Sequence, residues 1–180
     1  MKELEILANG GVILYPTDTI WGIGCDATNE EAILKVQKIK GRVADKSLIV
    51  LMSDVKMLSD YVDASIYERL EKEGMLSQPT TIIYPAAKKL PVNVLSNNKS
   101  LAVRIPQHNY CYKLIHSFGK PIVSTSANIS GYPSPLCFDD ISYEIKQQVD
   151  YICEFEHQRR SIYSASSILM IDNLEVKRLR

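Results

Sequence analysis

What most constrains the fold of this chain is a set of short apolar runs in which polar residues do not alternate. They occupy 11–15, 47–52, 80–84, 101–105, 121–125, 150–153, 167–171 and 176–179. Runs of this length read as strands, and unbroken apolarity means a strand covered on both faces. Between several of them the pattern changes to a helical period. In 28–41, Ala32, Ile33, Val36 and Ile39 form one stripe. Thr28 and Glu31 make a capping box there, and Gly41 suits the position after the last turn. Further helices are expected over 54–62, 65–74, 109–119 and 139–149, two of them stopped by glycine. Strands interleaved with helices predict an α/β fold: one twisted, mixed sheet with flanking helices, in a single domain over 1–180. The strands are too irregularly spaced for a barrel of αβ repeats.

The chain has 180 residues, enough to bury roughly 70% of its unfolded surface without help from disulfides. Its formal net charge is zero. That excludes molecule-wide electrostatic binding of nucleic acid but leaves room for a local basic patch. The four cysteines make no C-x-x-C pair and no zinc spacing with the three histidines. They read as free thiols of a reducing compartment, and no protein metal site is expected. The first residues lack a signal-peptide core, and no apolar run approaches the ~20 residues of a membrane span. A soluble, cytoplasmic protein without membrane contact is expected.

Several familiar chemistries are absent: there is no P-loop, no G-x-G-x-x-G after the first strand and no G-x-S-x-G elbow. What recurs instead is an apolar strand followed by a loop of small polar or cationic residues. Ligand crevices of open α/β sheets lie beyond strand ends. Thr17, Asp18 and Thr19 follow the first run, backed by Gly22 and Gly24, which let a ligand approach the backbone. A plain turn with Asp18 bonding its own backbone explains them equally well. Lys35, Lys38, Lys40, Arg42 and Lys46 crowd one helix end and the loop behind it. The helix dipole accounts for some of them, while Arg42 and Lys46, past the helix stop, suit phosphates. Arg104 interrupts an apolar strand. It either faces solvent at a sheet edge or meets an anion, and the anion is favoured because a buried lone charge is costly. Ser124, Thr125, Ser126, Asn128, Ser130 and Ser134 follow another core-like strand, and Ser164, Ser166 and Ser167 lead into a late one. Together these segments predict one crevice lined with hydroxyls and cations.

The segments "YPTDTIWGIG", "KIKGRVADKSLIVL", "LAVRIPQH" and "STSANISGYPSP" resemble, in order and spacing, the signature segments of the YrdC-like family. Its members are threonylcarbamoyl-AMP synthases. The resemblance covers essentially the whole chain and implies a mixed α/β sheet around a concave, positively charged crevice, in the short single-domain form. It implies that L-threonine, bicarbonate or CO2, and ATP are joined into L-threonylcarbamoyladenylate and pyrophosphate, a nucleotidyl transfer. A separate tRNA-modifying transferase complex would complete N6-threonylcarbamoyladenosine at tRNA position 37. By matching motifs, Thr19, Arg104, Ser124 and Ser166 are implied to contact threonine. Arg42, Lys46, Thr81, Ser126, Asn128, Ser134 and Arg180 are implied to contact ATP, and Lys40 and Arg42 to be the catalytic cations, with Mg²⁺ accompanying the nucleotide. The chain departs from the family pattern at "SQP" before Thr81, at Lys46-Ser47 and at the serine pair 166–167. The alternative is an RNA-binding module of the same fold without synthase activity, using the basic cluster in a weak tRNA or RNA contact.

Overall fold

The structure is a computed structural model that describes residues 1–41, 48–162, 165–172 and 175–180. Among the described residues the strands are β1 Ile13–Tyr15, β2 Gly22–Gly24, β3 Ile49–Leu51, β4 Thr80–Tyr84, β5 Leu101–Arg104, β6 Ile122–Ser126, β7 Tyr151–Ile152, β8 Ser167–Asp172 and β9 Glu175–Arg178. The helices are α1 Lys2–Ala8, α2 Glu30–Ile39, α3 Val55–Ser59, α4 Ser65–Lys72, α5 Asn109–Phe118 and α6 Tyr143–Gln148. All the strands join one sheet in the order β7-β1-β2-β6-β3-β5-β4-β8-β9. Neighbours are parallel at β1–β7, β3–β5 and β4–β8 and antiparallel elsewhere. The expected mixed α/β sheet is therefore what the chain forms.

The period of two along each strand sorts the side chains onto two faces. Leu14, Ile23, Val50, Ile82, Val103, Val123 and Leu169 point to one face, where Ala32, Ile33 and Val36 of α2, Leu58 of α3, Leu70 of α4 and Ile145 of α6 cover them. Ile13, Tyr15, Leu51 and Ile122 point to the other, beneath α1 and α5 through Leu7, Cys111, Leu114 and Ile115. This second cover is only partial, so continuous apolarity overstated how much of that face is closed. Towards β4 and β8 the second face is roofed by neither helix.

Two elements depart from the sequence reading. Helix α1 is not expected from the sequence, because it is short and its first turn has no side-chain cap. Strand β2 was not anticipated either, because its two glycines suppress any strand signal. Gly24 is small for a packing reason: a Cβ there would sit 2.4 Å from the Val123 carbonyl and 2.7 Å from the Tyr15 ring. At the start of α2 the cap is Asn29, whose side chain accepts from the Ala32 amide at 3.0 Å. Thr28 instead donates its hydroxyl to Asp26 at 2.6 Å, so the expected capping box does not form. Gly41, with φ of 57°, does end the helix as expected, in the left-handed region.

Candidate functional site

The unroofed part of the second face is a cavity of about 490 Å³, within the ~300–1,000 Å³ range of small-molecule sites. Its floor is apolar, made by Ile49, Ile83, Ala102 and Ile168 of four neighbouring strands. Its walls are polar and come from segments far apart in sequence.

Thr17 and Thr19 form one wall as the chain leaves β1. The Thr17 hydroxyl donates to the Ile20 carbonyl at 2.8 Å and accepts from the Thr19 amide at 3.1 Å, a local turn. That turn presents the Thr19 hydroxyl to Arg104, whose Nη1 donates to it at 2.9 Å. Arg104 Nη2 lies 3.4 Å from Asp18 Oδ1, with both side chains 6% exposed. Asp18 is thus bound to Arg104, and also accepts from the Gln107 amide at 3.2 Å, rather than turning back on its own backbone. Arg104 does not face solvent at a sheet edge: β5 is paired on both sides, by β3 and β4, and the residue is buried. The anion it meets is first of all a carboxylate of the protein. The guanidinium is not saturated: its Nε has no hydrogen-bond partner.

Lys40, at the end of α2 and 3% exposed, reaches across to the loop after β6. Its Nζ donates to the Ser126 carbonyl at 2.5 Å and to Asn128 Oδ1 at 3.1 Å, while its carbonyl accepts from the Ser130 amide at 2.9 Å. One lysine thereby fixes the loop on which Ser126, Asn128 and Ser134 line the cavity. Ser124 projects from β6 beside Gly22, where a Cβ would stand 3.0 Å from the Ser124 hydroxyl. On the far wall Thr81 and Ser166 share a hydrogen bond of 2.7 Å. Arg180 Nε donates to the Ser166 carbonyl at 3.0 Å, and the Arg180 carbonyl accepts from the Ile168 amide at 3.0 Å. Every described residue that the motifs assign to threonine, ATP or catalysis lines this one cavity, whereas Asp18, Lys35, Lys38 and Ser167 of the candidate segments do not: Lys35 donates to the Gly10 carbonyl at 2.8 Å and Ser167 bonds Thr80 at 3.0 Å. Arg42, Lys46 and Ser164 lie outside the described residues. The expected separation into a threonine side and an ATP side is less clean in space: Ser166, assigned to one, bonds Thr81 and Arg180, assigned to the other.

Among the described lining residues the cations are Lys40, Arg104 and Arg180 and none is acidic, although Asp18 pairs with Arg104 from behind the wall. Groups behind the walls are poor proton carriers. Burial pushes the Tyr15 hydroxyl far above the tyrosine range. Burial, then the Asp18 charge, pushes the Cys111 thiol up as well, so it stays protonated and donates to the Pro16 carbonyl at 3.3 Å. The sequence reading passed over Trp21, which lines the cavity and packs against Phe138 and His157 at 5.1 and 5.4 Å between ring centroids. Its place in the first motif, next to the predicted Thr19, was the available signal. The apolar floor residues gave none, since a floor residue and a core residue look alike in one dimension.

Comparison with known proteins places these features in a family. The family model described as "Telomere recombination", covering Sua5, YciO and YrdC, matches residues 5–180. A threonylcarbamoyl-AMP synthase of Xanthomonas euvesicatoria pv. vesicatoria is 41% identical over 135 residues, 73% of this chain and 72% of the relative. One from Escherichia coli K12 is 34% identical over 141 residues, 77% of this chain and 74% of the relative. The structure of P. abyssi Sua5 complexed with L-threonine superposes with a TM-score of 0.86 at 26% identity, covering 99% of this chain. This chain spans 52% of that longer protein. E. coli YciO shares the fold, with a TM-score of 0.82 at 24% identity over 99% of this chain and 86% of its own. A match over nearly all of its residues and relatives above 30% identity establish that this chain belongs to the Sua5/YciO/YrdC family.

Proposed function

We propose that the protein is a threonylcarbamoyl-AMP synthase, a nucleotidyltransferase that joins L-threonine, bicarbonate-derived CO2 and ATP into L-threonylcarbamoyladenylate and pyrophosphate in the cytoplasm. The product would feed a tRNA-modifying transferase complex. The observation that carries the reading is the convergence of Thr19, Lys40, Thr81, Arg104, Ser126, Ser166 and Arg180 on a single cavity. The likeness to threonylcarbamoyl-AMP synthases supports the product, and the P. abyssi Sua5 complex with L-threonine supports the amino acid.

In this reading the threonine amine attacks CO2 and loses a proton, forming a carbamate. A carbamate oxygen then attacks the α-phosphorus, and pyrophosphate leaves. No covalent enzyme intermediate is needed, so the protein contributes position and charge. Arg104, with its free Nε, Thr19, Ser124 and Ser166 hold the amino acid. Lys40, Ser126, Asn128, Ser134, Thr81 and Arg180 hold the nucleotide, and Arg42 and Lys46 extend the positive wall towards the phosphates. Of the three described cations, Arg104 is partly answered by Asp18 from behind the wall, and no carboxylate is among the lining residues described, which suits an anionic ligand of this kind. Among the described residues no group of acidic, histidine or cysteine side chains could cage a metal. Mg²⁺ would accompany ATP as the counter-ion of its phosphates.

The test is pyrophosphate release from ATP with threonine and bicarbonate each omitted in turn. Release that requires both is expected. Release indifferent to threonine refutes the synthase reading, and salt-sensitive RNA binding without turnover would favour the RNA-binding module.

A further inference from the structure

The loop that carries Thr19 is tied down residue by residue, and the ties come from outside the cavity. The Thr17 carbonyl accepts from Arg159 Nη1 at 2.9 Å, and the Thr19 carbonyl accepts from the Ser161 hydroxyl. Both pairs are separated by 142 positions. Segment 156–161 therefore runs alongside the loop in step with it, two residues for two. The small space between them holds about 10 Å³, room for at most one water. Neither Arg159 nor Ser161 lines the main cavity, whereas the Thr17 and Thr19 side chains do.

The segment is itself built to aim Arg159. Glu156 has a φ of 56°, a conformation that residues with a side chain rarely adopt. Its carbonyl accepts from the Arg159 amide at 3.0 Å, closing a turn. Its carboxylate meets Arg159 Nη1 at 2.7 Å and His108 Nε2 at 3.2 Å. His108 Nδ1 contacts Cys111 Sγ at 3.4 Å, and that thiol holds the Pro16 carbonyl. A strained turn, an ion pair and a buried thiol all converge on the backbone of one short loop.

We propose that segment 156–161 is the positioning strap of the amino-acid side of the cavity, with Arg159 and Ser161 as positioning residues. They hold the Thr17 and Thr19 carbonyls, and so fix the Thr19 hydroxyl and Asp18 against Arg104. The inference rests on the synthase reading for its substrate, but the positioning itself does not. Site geometry loosened by even about 1 Å costs heavily in productive binding.

The test is Arg159→Ala, with Arg160→Ala as the control. Arg160 carries the same charge one residue on, but turns outward to Asp140 at 4.0 Å with its side chain 66% exposed. Arg159→Ala is expected to raise the KM for threonine about ten-fold, the scale of losing a charge-assisted hydrogen bond. The KM for ATP should stay within about two-fold, and Arg160→Ala should match the parent. Equal shifts in both KM values, or none, overturn the proposal. A second readout needs no substrate: amide hydrogen exchange of Thr19 and Ile20 should quicken at least ~10-fold in Arg159→Ala while α5 is unchanged. Unchanged exchange overturns the strap whatever the catalytic activity. If the parent shows no threonine-dependent turnover, the synthase reading fails and exchange alone decides the strap. If Arg159→Ala does not fold, Ser161→Ala is read by the same two measurements.

Discussion

Arg104 carries a charge into the middle of a sheet and survives there because Asp18 and Thr19 meet it. Removing one partner of a buried pair leaves the other uncompensated, at a cost of about 3–5 kcal/mol. Arg104→Ala should therefore lose about 3 kcal/mol in denaturant titration as well as threonine binding. Adding Asp18→Asn should restore more than about 1 kcal/mol of it. A double variant no more stable than Arg104→Ala would show that the pair is not the reason for the loss. The two glycines of β2 make a second residue-scale contrast. Gly24→Ala would push a methyl into a backbone carbonyl and a buried ring, and should destabilise by about 1–3 kcal/mol. Gly22→Ala meets the Ser124 hydroxyl at 3.0 Å and is otherwise in ordinary contact, 3.5 Å from the Thr125 carbonyl and 3.7 Å from Thr17 Cγ2, next to open cavity. It should leave the melting temperature nearly unchanged and lower turnover. If both alter stability alike, the division between a packing glycine and a site glycine is wrong.

At the scale of elements, the caps are where local chemistry holds the site. Helix α2 delivers Lys40 to the cavity, and Asn29 anchors its first turn. Asn29→Ala should cost about 1 kcal/mol, read as a lower denaturation midpoint with an unchanged slope. Asp54 does the same for α3, accepting from the Met57 amide at 2.8 Å. That amide bond comes first among the influences that hold its carboxyl below the ordinary 3.8. Because the folded group binds its proton less readily than the unfolded one, its contribution is full above pH 3.8 and is lost as pH falls through the lower folded value. The stability gap between the parent and Asp54→Ala should close as pH drops below 3.8. A gap that persists at lower pH would exclude the carboxylate as the cap. On the same scale, helix α2 and the stop at Gly41 were legible from period and spacing alone. Its cap was not, since Thr28 and Asn29 are both good cap residues and only the Asp26 carboxylate, which takes Thr28, decides between them.

Across the whole molecule, the sheet places the site between strands that close long loops in the chain. Exchange protection should be greatest in β3, β5 and β6, buried and paired on both sides, and least in the edge strand β9, whose residues are mostly exposed. Arg180 docks from the end of that edge onto Ser166 and onto Ile168 of β8. Arg180→Ala should raise the KM for ATP several-fold with little change in melting temperature, measured by initial rates, and an unchanged KM removes it from the nucleotide side. The sequence by itself determined the fold class, most strand positions and the candidate residues of the walls. Those signals lie in strand length, helical period, glycine stops and small-polar loops, which are properties of neighbouring residues. Only the tertiary structure decided which face of the sheet stays unroofed, that Asp18 answers Arg104 and that segment 156–161 holds the first loop. Each of these joins residues roughly 85 to 142 positions apart, where the pairing depends on sheet order and on which helices pack where, and no local pattern records it.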